Sequence, residues 1–438
     1  MTDAPAPGDA AAATPAAAPT LAELTRVFGR IGVLSFGGPA AQIALMHREL
    51  VDARAWLSER QFLGALSFCM LLPGPEAMQL CTYAGWRLRG IPGGLIAGGL
   101  FVAPGAAVIL ALAVLYLNFG AQPVVQDVFT GIKAAVVVIV VQALLRVAGK
   151  ALTGPGAWGV AAAAFLALFA FSVPFPAVIA AAAIWGALAA GGAGAPAPVA
   201  PEPRPGRGAG RTLGVVLALA ALWAAPLGLA WAAGAELMLA LGLFFSKLAV
   251  VTFGGAYAVL AYMAQEVVQD RGWLTAAQMI DALGLAETTP GPLILVTEFV
   301  GALAGGAAGG WAGAAAGAAM TLWVTFVPCF LWIFAGAPYI EWITRQPRLK
   351  GALDGITAAV VGVIANLSVW FAAHVFFAEM GTAALGPAEV IAPAPASFDV
   401  PAAALAGLAA ALLLWRGLSL PAALGAMAAA GLALGALS

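Results

Sequence analysis

The chain is poor in charge. Only 9% of its 438 residues are Asp, Glu, Lys or Arg, against roughly 25% in an ordinary soluble domain. With 63% hydrophobic residues and a mean hydropathy of +0.99, it reads as an integral membrane protein. The net charge is −1 and no basic run occurs, so composition suggests neither a nucleic-acid surface nor a polybasic lipid anchor. Cysteine and histidine are scarce too. Cys69, Cys81 and Cys329 lie in or beside apolar segments without paired spacing, and read as small packing residues. His47 and His374 have no partner pattern for a metal or a catalytic base. There is no Gly-x-x-x-x-Gly-Lys-Ser/Thr loop and no dinucleotide fingerprint, so no cofactor is expected, neither nucleotide nor redox group, and no enzyme chemistry. The first 20 residues lack a basic region and an apolar core, which argues against a cleaved secretory signal; they read as a disordered Ala/Pro-rich tail.

What is abundant is apolar sequence. Runs near 93–117, 129–148, 157–190, 212–233, 311–335, 355–378 and 400–436 supply the roughly 20 residues that a spanning helix needs. They predict ten to thirteen membrane segments. Period-two alternation is missing, so the expected class is an all-α integral membrane protein rather than a barrel.

The chain is also duplicated. The 41 residues from Ser35 to Pro75 match those from Thr252 to Pro292 without a gap, at an offset of 217. Phe-Gly-Gly, a Glu, Arg-x-Trp-Leu, a Gln and Pro-Gly-Pro recur in register. After a short insertion Pro104 pairs with Pro328, and the run from Gly131 pairs with that from Gly355. The expected layout is a tail (1–20), a first repeat (21–190), a flexible Pro/Gly/Ala-rich linker (191–211) and a second repeat (212–438).

Basic residues test the orientation of the halves. Half one carries Arg48, Arg54, Arg60, Arg87 and Arg89 in its early loops and none over 118–128. Half two keeps only Arg271 early, and has Arg345, Arg348 and Lys350 late. Inverted halves account for the reversal, with the linker arginines inside and the acidic loop of Glu379, Glu389 and Asp399 outside. This requires the Phe-Gly-Gly and Pro-Gly-Pro segments to enter and leave on one side, as broken or re-entrant hairpins. The recurring Glu49/Glu266, Arg54/Arg271 and Trp56/Trp273 read as interface anchors.

Two prolines around a glycine end a helix, at about 3 kcal/mol per interior proline. In hydrocarbon the freed backbone must be buried in protein or line a wet cavity, so four matched breaks point to an internal site. A helix starting after Pro75 or Pro292 presents unpaired N–H groups and a positive dipole end, a seat for an anion. The candidate binding residues are Ser35, Gly37, Gly38, Gln42, Pro73, Gly74, Pro75 and Gln79 in half one, and Thr252, Gly254, Gly255, Thr289, Pro290, Gly291 and Pro292 in half two. Ser67, Tyr257 and Thr288 are further donors nearby. Lys133 sits just inside an apolar run, where it faces a substrate, snorkels or pairs; its repeat partner is Thr357, so a site using it is asymmetric. Glu76, Glu287 and Glu298 are candidates for proton coupling, although Glu76 can instead complement a helix dipole and Glu298 can face water or pair.

The stretches SFGGPAAQIALMHREL, FCMLLPGPEAMQLCTYAGWRLRG, FGGAYAVLAYMAQE and GLAETTPGPLILV resemble the chromate ion transporter family, in its long, two-domain form, over about 25–150 and 240–375. The resemblance implies a multi-pass protein of the bacterial inner membrane that exports chromate, an oxyanion mimicking sulfate, and so confers chromate resistance. The partners it implies are chromate or sulfate and membrane lipid; oligomeric state, a homodimer included, stays open. Many family members carry His where this chain has Gln42, which puts a His-based proton relay there in doubt. An anion channel using the same breaks and a membrane reductase are the competing readings, the second without a cofactor motif.

Overall fold

The structure is a computed structural model, and it describes residues 19–190, 209–253, 256–344, 346–386 and 388–437. Most of the expected tail and linker, together with Gly254, Gly255 and Arg345, lies outside the described residues.

Each apolar run is helical, as lipid demands of a backbone with no water to bond. Half one comprises α1 (Leu21–Leu34), α2 (Gly38–His47), α3 (Glu59–Met70), α4 (Glu76–Phe119), α5 (Pro123–Ala151), α6 (Pro155–Phe169) and α7 (Phe175–Ala190). α8 (Ala209–Ala232) follows. Half two repeats the order with α9 (Glu236–Val251), α10 (Ala256–Ala264), α11 (Ala276–Thr288), α12 (Val296–Gly336), the short α13 (Ile340–Ile343), α14 (Pro347–Phe376), α15 (Val400–Ala410) and α16 (Leu420–Gly435). The chain is a helical membrane protein of two homologous halves, and among the described residues five helices are long and apolar enough to cross a bilayer alone.

The recurring loop residues have a local job. Ser58 with Gln61, and Thr275 with Gln278, form capping boxes that start α3 and α11. Arg54 bonds Glu49 and Arg271 bonds Glu266. The same guanidiniums lie over Trp56 and Trp273, at 5.7 and 4.9 Å from the ring centroids. The motif therefore fixes the return of the chain after α2 and α10.

α4 and α12 are each a hairpin of two helices. The chain folds back at Arg89–Gly90 and at Gly309–Gly310, where Gly90 (φ 67°, ψ −154°) and Gly310 (φ 58°, ψ −145°) take up a conformation closed to L side chains. The arms touch backbone to backbone: a Cβ on Gly85 would stand 2.2 Å from the Gly93 carbonyl oxygen, and one on Gly301 2.4 Å from that of Gly317. The two hairpins lie head to tail. Gly94, just past the first fold, meets Phe334 near the end of α12, and Gly306, just before the second, meets Leu117 near the end of α4.

α1 and α2 also form a hairpin. α1 begins beside the α4 fold, where Arg89 bonds the Pro19 carbonyl, and Glu49, past the end of α2, comes back to Arg30 of α1 at 3.9 Å. α3 and the first arm of α4 follow, and after the α4 fold come its second arm, α5, α6 and α7. α8 has no counterpart among the described residues of half one. Inside it, Pro226 leaves the Leu222 carbonyl without its helical donor, and Trp323 Nε1 of α12 replaces that donor at 2.8 Å.

The long helices are exchanged between the halves: α5 packs on α15 and α16, and α14 on α6 and α7. Helices gain no hydrophobic drive from lipid, so they approach at small residues. One difference from the sequence reading is a β-hairpin, β1 (Met380–Leu385) and β2 (Ala388–Pro393), in the acidic segment expected to be a loop. Gly386, at φ 66°, turns it, and the Glu389 N–H ties it to Ala170 at the end of α6 at 2.9 Å. Short strands of small residues carry no period-two pattern for sequence to show.

A Cβ on Gly131 would lie 1.8 Å from the Met427 carbonyl oxygen, and one on Gly186 2.0 Å from that of Gly351. Gly131→Val and Gly186→Val are expected to lower the thermal stability of detergent-purified protein by about 1–3 kcal/mol or more each. Gly149→Ala, with open space around it, should leave it unchanged.

Candidate functional site

The four breaks meet, and they bond across the halves. The Gly74 N–H of the first Pro-Gly-Pro donates to the Thr252 carbonyl at 2.8 Å, and the Gly291 N–H of the second donates to the Ser35 carbonyl at 2.8 Å. The two bonds are images of each other at the repeat offset. Each joins the C-terminal end of a helix, α9 or α1, to the turn that opens another, so orphan carbonyls and orphan amides satisfy one another. Ser35 and Thr252 are each 1% exposed. Gly74 (φ 119°) and Gly291 (φ 86°) occupy positions that only glycine fills without strain. The Ser35 and Thr252 hydroxyls turn back to Ile31 and Leu248 carbonyls, at 2.6 Å each, so the crossing contacts are main-chain.

Around this symmetric centre the side chains differ between halves. Gln42 Nε2 donates to the Gly291 carbonyl at 2.7 Å and to the Ser35 carbonyl at 3.3 Å, tying α2 to the opposite break. Gln79 Nε2 donates to the Pro73 carbonyl at 2.6 Å, while its Oε1 is buried without a partner. The repeat positions hold Val259 and Val296. Thr288 and Thr289 bond carbonyls of their own helix end, Leu285 and Ala286, and Ser67 bonds Leu63 on an exposed face. Tyr257 donates to Glu287 Oε1 at 2.7 Å. Pro290, Gly291 and Pro292 are buried, whereas Phe36 and Gly37 are exposed and Pro73 half-buried, so the first half's breaks lie nearer a surface. Gly38, like Gly37, has positive φ at the start of α2, and buried Pro75 caps α4.

Lys133 has a partner that sequence reading missed. Its Nζ lies 3.2 Å from Asp281 Oδ1, and Tyr116 donates to Asp281 Oδ2 at 2.8 Å. Asp281 is 1% exposed. Its repeat position is Gly64, so the duplication gave no reason to single it out; a lone acid in the run MIDALGLA was the only signal. Glu298, in the first turn of α12, is 3% exposed with Oε2 unpartnered. Glu76, half-buried, opens α4 and complements its positive end. Cys329 packs against Gly74, where a Cβ would come within 2.9 Å of its Sγ. Among the described residues no group of three His, Cys, Asp or Glu could hold a metal. His47 pairs with Asp52 and Glu59 at 3.2 and 2.6 Å, and His374 Nδ1 bonds its own helix at Trp370.

The family model for chromate transporters matches residues 22–187 and 239–433. The chain belongs to the chromate transporter family. It is 32% identical to a chromate transport protein of Pseudomonas aeruginosa over 83% of this chain and 84% of that one. It is 31% identical to a chromate transport protein of Cupriavidus metallidurans over 79% and 81% of the two chains, and 29% identical to a probable chromate transport protein of Synechococcus elongatus over 80% and 84%. No solved structure matches. The family is one of transporters and not of enzymes, and this member is a multi-pass membrane protein, of the inner membrane in a bacterial cell.

Two outcomes are expected of the transporter's centre. Gly74→Ala, which meets Gln79 Nε2 at 2.8 Å and carries a strained φ, should destabilise the protein by about 1–3 kcal/mol, while Ser35→Ala should cost about 1 kcal/mol or less because the crossing bond is main-chain; thermal unfolding in detergent reads both. Lys133→Met should cost about 3–5 kcal/mol by leaving the buried Asp281 carboxylate without a counter-charge and with Tyr116 as its one hydrogen-bond donor among those described, and Lys133→Met with Asp281→Asn should recover most of the loss, as a double-mutant cycle in the same assay would show.

Proposed function

We propose that this protein is a secondary transporter that exports chromate, with sulfate as a competing substrate, and that the crosswise-bonded breaks are its substrate site. The observation that carries the reading is the pair of bonds from Gly74 to Thr252 and from Gly291 to Ser35. Each amide already points at an oxygen, and an anion oxygen can replace that carbonyl when the halves move apart. The openings of α4 and of the turn before α12 add further N–H groups and dipole. Broken helices at the interface of repeats are how many secondary transporters hold a charged substrate. The chromate named for the relatives suits such a site: a tetrahedral dianion with acceptor oxygens only.

In this proposal the repeats, 21–190 and 212–438, lie inverted across the membrane. Taken as spans, the second arm of α4, α5, α6 and α7 are four crossings and α8 a fifth, which turns half two over; this count, the head-to-tail hairpins and the reversal of basic residues between early and late loops support it. The face with Arg48, Arg54, Arg60, Arg87 and Arg89 is then cytoplasmic. Lys133 serves as counter-charge, exchanging Asp281 for the substrate, and Glu76, Glu287 and Glu298 are the groups available to carry a proton. A dianion leaving a negative cytoplasm gains about 2.3 kcal/mol per charge per 100 mV, which favours export.

Chromate flux into everted vesicles tests this. The expected result is saturable uptake, driven by a lumen-positive potential, inhibited by sulfate and lost in Gly74→Val and Gly291→Val proteins that still reach the membrane. Wild-type flux in both variants would refute the site, and non-saturating conductive flux would replace the transporter with a channel. Imposed pH gradients separate proton exchange from uniport.

A further inference from the structure

A cavity of about 430 Å³ lies away from the breaks, at the fold of the first hairpin. It is walled by Trp86 to Pro92 of that fold, by Thr212 and Val215 at the start of α8, and by Phe334 and Pro338 around the end of α12. We propose that it binds an anionic phospholipid, with the phosphate on Arg87 and Arg89 and the acyl chains along α8.

The chemistry of the walls carries this. Two arginines and Thr212 supply donors suited to a phosphate, and none of the described lining residues is acidic. The volume falls within the roughly 300–1,000 Å³ of small-molecule sites. Most of the remaining wall is apolar, Leu88, Ile91, Val215 and Phe334 among it, which a free oxyanion does not need and a glycerol backbone with acyl chains does. On the far side of α8 from Thr212 and Val215, Leu213 and Leu217 are 58% and 60% exposed, so the helix that borders the cavity also presents an apolar face outward. Basic pockets between membrane helices at the cytoplasmic level suit anionic headgroups. Arg89 is also held by the Pro19 carbonyl, which sets its orientation.

The duplication supplies a control within the chain. At the second hairpin fold, Ala307 and Gly309 stand where the first has Arg87 and Arg89. The site therefore exists at one fold and not its image, and so faces one leaflet. Sequence inspection found no basic run because the cavity's arginines are only two, and the fold, not the chain, places them against α8. Since the walls come from both halves, the lipid would bridge them.

The test is the thermal stability of the full-length protein in phosphatidylcholine nanodiscs with and without dioleoylphosphatidylglycerol, with inorganic phosphate and glycerol 3-phosphate as separate additions. Phosphatidylglycerol is expected to raise the melting temperature, and the free headgroup compounds are expected not to. The rise should be lost in Arg87→Gln/Arg89→Gln and kept in Arg48→Gln/Arg60→Gln, which removes as much charge from exposed positions outside the cavity. Thr212→Trp, which fills the cavity and leaves both arginines, should also lose it, so a folding failure of the arginine variant does not leave the matter open. An equal rise in wild type and in the cavity variants would overturn the proposal. Full reproduction of the rise by inorganic phosphate would also overturn it, making the cavity a free-oxyanion site.

Discussion

Two main-chain hydrogen bonds, Gly74 to Thr252 and Gly291 to Ser35, hold the structure's centre, and most other features follow from the need to make them. A helix that stops inside a bilayer exposes backbone groups that lipid cannot satisfy. A chain can afford such stops only if something else supplies donors and acceptors at the same depth. Here each half supplies the other: carbonyls at the ends of α1 and α9 meet amides of the turns before α12 and α4. The breaks are stable as a set of four and would be costly singly, which is why duplication and breakage occur together.

The rest of the architecture brings these ends together. Hairpins at Gly90 and Gly310 send the first arms of α4 and α12 to the centre and the second arms past it, with Gly105 of one set against Pro290 and Cys329 of the other against Gly74. Exchange of α5 and α14 between the halves clasps the assembly from outside. The head-to-tail contact of the two hairpins sets the turn of each half beside the helix end of the other. Symmetric backbone then carries asymmetric chemistry: Gln42, Gln79 and Arg87 belong to one half, Asp281, Glu287 and Glu298 to the other.

Much of this was legible in the residues. Charge poverty and apolar run length imply helices in lipid, and an ungapped repeat of 41 residues implies two like units. Proline and glycine act on their own backbone, so the breaks could be read one at a time. The recurring Glu, Arg-x-Trp-Leu and Gln are local too, and proved to be ion pairs, ring contacts and capping boxes. The hydroxyls of Ser35 and Thr252 bond their own helices in this structure, and what these residues offer the opposite half is a main-chain carbonyl.

By itself, then, the sequence determined the membrane class, the duplication, the places where helices stop and the family, because each depends on residues close in the chain or on counts over it. Only the tertiary structure decided that the breaks bond crosswise, that Lys133 meets Asp281 and Tyr116, and that Arg87 and Arg89 close a cavity with α8. Those pairings join groups as far apart as Ser35 and Gly291, 256 positions along the chain (291 − 35). No local propensity encodes such a distance; it is set by which surfaces of the helices fit when the whole chain is packed.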